Sequence, residues 1–491
     1  MKREYWILLL ILIIALFMRF ASLMIGLSLQ ANLDTSIFPD EANFLVSARY
    51  FFTGVPSPYY VYYHNSLILS PLISGLYFIF GSTAFAGRFF SAVLGALTIP
   101  LIYLTSKKLF KNEKKALLAA FLLSISFIHR FWTIRALADG PLTFFFVLSI
   151  YLFIRAIHSE DWRLYIWAGI ATTITVLIKY PGILIYIIIL VYLIISIYFK
   201  QISKKVLFYY LITVAIFAFT MITLLLSQFM LPFQPLNQIL YFLNNLFSDY
   251  SNPFYYIFNT LELNLLWGLL FFTLIVIVLI YSLKKHTEGD IFLISWIGVV
   301  FIFFSFYGES ELYRYLLPAF PALYILVSHF FIDFFRKFHL SLHHFKMSQN
   351  SFIALLLTIL LGGFITAEFA FGETIIVKRS TTYDGIYRMS TWLNVNGTIG
   401  ARIMAPSNSL AQLEFYTDSN FEYVALSTED TEAGVWNDIQ NNNISYIILS
   451  WHFPETSSLA IWTIVPLDTA NYSLNVLFND GKFITELYQV L

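Results

Sequence analysis

The sequence predicts an α-helical, multi-pass membrane protein with about eleven transmembrane helices, juxtamembrane helices in the first outer loop and a small C-terminal α/β extracytoplasmic domain. Three observations predict it. Composition is the first: 59% of the 491 residues are hydrophobic, 12% are charged and 52 are Phe, with a mean hydropathy of +0.73, far from that of a soluble globular chain. Apolar runs near the ~20 residues that a membrane-crossing helix requires are the second. They centre on 5–28, 84–106, 116–130, 140–157, 162–178, 182–199, 206–230, 262–283, 290–307, 313–335 and 350–371. From Glu373 onward the composition becomes ordinary, which predicts a transmembrane module over 1–372 and a soluble domain over 373–491.

The third observation is the distribution of positive charge, which is retained on the cytoplasmic side of short loops. One set of connections holds seventeen Lys and Arg, among them Lys107, Lys108, Lys111, Lys114, Lys115, Lys204, Lys205, Lys284 and Lys285. The alternate set holds six: Arg49, Arg88, Arg130, Arg135, Lys179 and Arg314. This alternation survives only if the apolar stretch 65–80, interrupted by Pro71, lies at the surface without crossing. The N-terminus is then cytoplasmic and the C-terminal domain outside. Met1, Lys2 and Arg3 lead into an apolar run without a small-residue cleavage pattern, so the first helix is expected to be retained.

Several function classes are excluded at this level. Lys plus Arg total 29 and Asp plus Glu 29, which leaves no basic excess to attract nucleic acid. Cysteine is absent, so disulfides, thiolate nucleophiles and Cys-ligated metals are ruled out. The segment after 372 carries 13 acids against five bases and reads as alternating short elements. Strands are expected at 401–405, 446–449 and 483–488, helices at 383–393 and 431–439, together a small α/β layer. Asn396, Asn443 and Asn471 open N-glycosylation triplets there, a pattern that chance also produces in a polar segment.

Chemistry-bearing residues concentrate in the outer loops. The first loop reads Pro39-Asp40-Glu41-Ala42-Asn43-Phe44 and continues as a helix to Gly54. Two adjacent carboxylates at such a point are an ordinary helix start or a catalytic pair. The second loop, His129-Arg130-Phe131-Trp132-Thr133-Ile134-Arg135 through Asp139-Gly140-Pro141, is polar between nearly uncharged helices. Ionisable groups at that depth, Arg19 of the first helix included, are costly unless they are partnered or functional. Lys179-Tyr180-Pro181-Gly182 and Arg314-Tyr315-Leu316-Leu317-Pro318 each add a cation at the same face. One such cation is ordinarily a snorkelling anchor. Several together suit an anion such as a lipid-linked phosphate.

These motifs resemble those of the GT-C superfamily of polyprenyl-phosphate-sugar glycosyltransferases, in particular its dolichyl-phosphate-mannose protein mannosyltransferase and aminoarabinose transferase branch. The resemblance rests on a first helix ending in Arg and on Pro39-Asp40-Glu41-Ala42 with the following Ala48-Arg49-Tyr50. It continues through Gly87-Arg88-Phe89-Phe90, Asp139-Gly140-Pro141-Leu142, Lys179 to Gly182 and Arg314 to Pro318. It is good over 1–335 and weaker beyond. The resemblance implies Asp40 as the base that activates the acceptor, Glu41 in support and Asp139 in the same cavity. Departures also occur: His64-Asn65-Ser66-Leu67 stands where the family often has an acid or His, then Lys and two prolines, and no Trp-Trp-Asp is present.

The expected reaction is therefore transfer of one sugar from a polyprenyl (dolichyl or undecaprenyl) phosphate to an acceptor hydroxyl of a protein, glycan or lipid, at the outer face of the bilayer. Asp40 would be general base. Arg314, Lys179, Arg135, Arg88 and Arg19, with Tyr315, would bind the donor phosphate, and His64, Glu309 and Glu311 would complete the cavity. No organic cofactor is implied, and a divalent metal stays open. The alternative is a multi-pass transporter, which ordinarily shows related halves and broken helices, neither of them evident in the sequence.

Overall fold

A computed structural model describes residues 3–28, 37–55, 66, 68–159, 161–227, 265–306, 313–337, 355–368, 370, 383–417, 420–426, 439, 441–450, 472–479 and 484–490. The chain divides into two compact units. The first comprises Met1–Ser22, Asn65–Ile68 and Arg88–Ile376, the second Leu23–His64, Leu69–Gly87 and Val377–Leu491.

The first unit is helical. It holds most of α1 (Arg3–Ser28) and of α4 (Ala84–Phe110), and all of α5 (Glu113–Ile125), α6 (Phe127–Thr133), α7 (Asp139–Ser159), α8 (Trp162–Ile178), α9 (Leu184–Tyr198) and α10 (Lys205–Ser227). After them come α11 (Leu265–Lys285), α12 (Glu288–Phe306) and α13 (Phe320–Lys337), then α14 (Leu355–Glu368). Among the described residues, eight helices are long and apolar enough to cross a membrane, and the α5–α6 pair makes a ninth. The shorter apolar helices α8 and α14 coincide with the two remaining expected runs, so each of the eleven runs carries a helix.

Local chemistry sets several boundaries. Asn112 caps α5 by accepting the Lys114 and Lys115 N–H groups, and Asp161 caps α8 through the Arg163 N–H, which satisfies donors that a helix start leaves open. Inside, Ala116, Ala119 and Ala120 form a stripe of small residues on α5, the kind of surface that lets membrane helices approach closely. Trp296 is fully buried against Phe146 and donates its indole N–H to the Pro318 carbonyl at 2.9 Å. A second polar cluster ties α5, α11, α12 and α13 together: Lys115 Nζ lies 2.7 Å from Asp333, Lys285 also pairs with Asp333, and His329 reaches Asp290 at 3.4 Å.

One feature departs from expectation. The apolar run 116–130 is not one straight helix: α5 and α6 meet at Ser126 with a bend of 59°. Ser126 sits at φ −55° and ψ 116°, and its hydroxyl accepts the His129 N–H, so it ends one helix and caps the next. A broken helix is therefore present where none was evident from hydropathy.

The second unit contains α2 (Pro39–Thr53), α3 (Leu69–Phe80) and the C-terminal α/β elements. With 12 residues α3 is about 18 Å long, too short for the ~30 Å hydrocarbon layer, in keeping with the surface placement expected of 65–80. Tyr77 donates its hydroxyl to the Leu45 carbonyl and Ser70 to that of Phe44, which pins α3 on α2.

The C-terminal elements are α15 (Asp384–Asn396), β1 (Arg402–Pro406), α16 (Leu410–Thr417), β2 (Glu422–Leu426), β3 (Ile444–Ser450), β4 (Tyr472–Asn479) and β5 (Ile484–Val490). The sheet order is β2-β1-β3-β5-β4, with β1 parallel to both neighbours and β5 antiparallel to β3 and β4. Ile386, Met389 and Leu393 of α15 pack with Ile403 and Leu413 in one apolar cluster, while Met404, Ile447 and Leu449 form another, the alternation of strand side chains feeding two faces. The expected strands 401–405, 446–449 and 483–488 match β1, β3 and β5, and the helix 383–393 matches α15. Strands β2 and β4 and helix α16 were not anticipated. The expected helix 431–439 lies almost wholly outside the described residues.

Candidate active site

In the first unit, α7 begins at Asp139, whose side chain is buried. Lys179 follows α8 in an extended conformation, φ −160°, and leads into a 3₁₀ turn over Tyr180–Ile183. This turn presses against the preceding helix: a Cβ on Gly182 would lie 2.7 Å from the Thr175 carbonyl carbon and the Val176 nitrogen. Only glycine fits there, and the tight turn returns Lys179 to the start of α7. Its Nζ donates to Asp139 Oδ1 at 2.8 Å, with both side chains under a tenth exposed.

A second 3₁₀ segment, Tyr313–Ala319, brings Arg314 to the same carboxylate, its Nε 4.0 Å from Asp139 Oδ2. Aromatic faces complete the arrangement. Lys179 Nζ lies 4.8 Å above the Tyr315 ring, and the Arg314 guanidinium is 5.7 Å from the rings of both Tyr315 and Trp132. Tyr315 in turn stacks parallel on Phe304 at 5.4 Å. The structure thus brings four expected site residues together: Asp139, Lys179, Arg314 and Tyr315.

Arg19, fully buried on α1, is held by three partners. Its Nη2 donates to His129 Nδ1 at 2.7 Å, Nε to Thr133 Oγ1 at 3.2 Å and Nη1 to the Ala15 carbonyl at 3.1 Å. Thr133 fits against Gly95 of α4, where a Cβ would meet its Cβ at 2.4 Å. Arg135 lies over the Phe131 ring at 5.2 Å, and Arg88, Arg130 and Arg135 are all buried. His129, Trp132 and Thr133 were missed as site residues. They stand in the polar loop that the sequence marks, but only the fold shows that His129 and Thr133 orient Arg19 and that Trp132 faces Arg314.

In the second unit, Pro39 occupies the first turn of α2, with Asp40 half-buried and Glu41 fully buried beside it. Glu41 Oε2 accepts the Phe38 N–H at 3.0 Å, so this carboxylate fixes the start of the helix that carries Asp40. The C-terminal domain holds the same point. Tyr416 accepts the Ile37 N–H at 3.1 Å, Gln412 donates to the Ile37 carbonyl, and Arg49 donates to the Phe415 carbonyl at 3.1 Å while lying over the Phe415 ring. His64, Glu309 and Glu311 lie outside the described residues. Among the described residues no three His, Asp or Glu side chains converge as metal ligands.

Residues 65–224 match the protein family described as dolichyl-phosphate-mannose-protein mannosyltransferase. A curated relative from Wigglesworthia glossinidia brevipalpis, an undecaprenyl phosphate-alpha-4-amino-4-deoxy-L-arabinose arabinosyl transferase, is 29% identical over 300 residues, 58% of this chain and 50% of its own. The chain spans about half the length of the curated relatives it matches. Among solved structures, ArnT from Cupriavidus metallidurans bound to undecaprenyl phosphate superposes with a TM-score of 0.61 at 15% identity, covering 99% of this chain and 98% of that one. The oligosaccharyltransferase AglB from Archaeoglobus fulgidus, in complex with an inhibitory peptide and a dolichol-phosphate, gives 0.64 at 15% identity, covering 98% and 74%. At such identity these likenesses speak for the fold alone. The chain shares the fold of ArnT and AglB, and its segment 65–224 is similar to the family described as dolichyl-phosphate-mannose-protein mannosyltransferase.

Proposed function

We propose that the protein transfers a sugar from a polyprenyl phosphate to an acceptor hydroxyl at the outer face of the membrane. The observation that carries this reading is the convergence of Lys179 and Arg314 on the one buried carboxylate of Asp139. In a water-poor setting a charge interacts several times more strongly than in bulk water, so cations gathered at one buried point can hold an anion. A phosphate is the ligand such a site favours, and Arg and Lys are its usual partners. The named relative and the two bound neighbours point to the same ligand class, since their descriptions include undecaprenyl phosphate and dolichol-phosphate.

Transfer breaks the bond between the anomeric carbon and the phosphate oxygen and forms a bond from that carbon to the acceptor oxygen. The acceptor proton passes to a base, assigned to Asp40, and the bonding pair leaves with the lipid phosphate. Charge on the departing phosphate grows as the bond breaks, so Lys179 and Arg314 stabilise the transition state more than the ground state. Glu41, committed to its cap, positions Asp40. Arg19, Arg88 and Arg135 are the further buried cations assigned to the donor phosphate. The charge asymmetry of the loops supports a cytoplasmic N-terminus with 373–491 outside.

No comparison supports the transporter alternative. The test is a panel of synthetic polyprenyl-phosphate sugars presented to the purified protein with candidate acceptors. Consumption of one donor with appearance of polyprenyl phosphate supports the reading; an unchanged panel refutes it.

A further inference from the structure

The break between α5 and α6 is held by a residue that lies far along the chain, outside the family-matched segment. Glu368, on α14, is fully buried in the first unit. Its Oε2 accepts the Phe127 N–H at 2.7 Å, the first amide of α6. Its Oε1 accepts from the Tyr324 hydroxyl at 3.2 Å, and that hydroxyl also lies 2.8 Å from Ser126 Oγ, at the break itself. A buried carboxylate in an apolar helix is expensive unless its hydrogen bonds are made, and here they are made to a short helix of seven residues.

That short helix carries or leads into the polar side chains of the cationic patch. His129 and Thr133 hold Arg19, Trp132 faces Arg314, and Arg130 and Arg135 are buried on it or just beyond it. A helix of two turns has little stability of its own, so its direction depends on what anchors its first turn. We infer that Glu368, with Tyr324, is a positioning residue that sets the direction of α6 and thereby the affinity of the cationic patch for the phosphate of the lipid donor. This rests on the reading of the site as one for a polyprenyl phosphate.

The test compares the affinity of the purified full-length protein for polyprenyl phosphate and for the uncharged polyprenol, in wild type, Glu368→Gln and Tyr324→Phe. Glutamine keeps the shape and one acceptor but removes the charge. The inference expects Glu368→Gln to weaken binding of the phosphate about tenfold, the size of one charge-assisted hydrogen bond. Polyprenol affinity should stay at the wild-type value, and Tyr324→Phe should move in the same direction by a smaller factor. A merely structural role predicts a lowered unfolding temperature with both affinities unchanged, or both lowered together; either result overturns the inference while leaving the proposed reaction standing. If Glu368→Gln does not fold, Tyr324→Phe decides by the same criterion. Wild-type protein that binds no polyprenyl phosphate fails the proposed reaction itself and this inference with it.

Discussion

Lys179 and Asp139 are 40 positions apart in sequence and their side chains meet at 2.8 Å in a buried site. Removing one member of a buried pair leaves an uncompensated charge and costs roughly 3–5 kcal/mol. Lys179→Gln is expected to lower the unfolding temperature and to reduce kcat by about 10²- to 10³-fold, the range for losing a preorganised transition-state partner. Adding Asp139→Asn to that variant should recover stability, because the uncompensated carboxylate is gone, while activity stays low. Thermal unfolding and donor kinetics on the single and double variants separate the two roles. Recovery of both together would make the pair structural only.

Asp40→Asn keeps size and polarity but cannot accept the acceptor's proton. Turnover should fall by about 10²- to 10⁴-fold with an unchanged fold. Asp34→Asn, six residues earlier in the same loop, is the control and should retain activity. Equal losses in both variants would remove Asp40 from the role of base.

Gly182→Ala tests the turn that returns Lys179 to Asp139. The added methyl meets helix backbone, which cannot give way as a side chain does. A cost of about 1–3 kcal/mol is expected, as for overpacking elsewhere, along with impaired donor binding. Wild-type stability and affinity in this variant would show that the turn has slack.

Topology is open to labelling because the chain has no cysteine of its own. A cysteine in place of Lys111 should resist an impermeant reagent added from outside, and one in place of Asn443 should react. Reversed labelling would overturn the orientation, and with it the placement of the reaction at the outer face.

Much of the fold is legible in the sequence because membrane helices announce themselves by length and apolarity. All eleven apolar runs carry helices, and the helix described within the proline-interrupted stretch 65–80, Leu69–Phe80, has only 12 residues. The break at Ser126 was not legible, since Ser-Phe-Ile-His continues an apolar run, and at the break stand a Ser hydroxyl cap and Glu368, which accepts the Phe127 N–H from 241 residues downstream. Glu368 did leave a signal, an acidic residue in an apolar run, and its partner was not deducible from spacing. In the C-terminal domain β1 and β3 were found because buried strands read as apolar runs. The outer strands β2 and β4 were missed because Glu422 and Asn475 dilute the pattern. Asp139, Lys179, Arg314 and Tyr315 were each named from loop chemistry, but their meeting at one carboxylate is a tertiary fact.

The measurement that bears most directly on the central claim is release of polyprenyl phosphate per donor consumed, followed side by side in wild type and Asp40→Asn with the donor that the synthetic panel selects. The account predicts one lipid phosphate released for each sugar transferred by wild type, and release slowed by at least about 10²-fold in the variant. Donor loss without lipid phosphate, or equal release by both proteins, would contradict it.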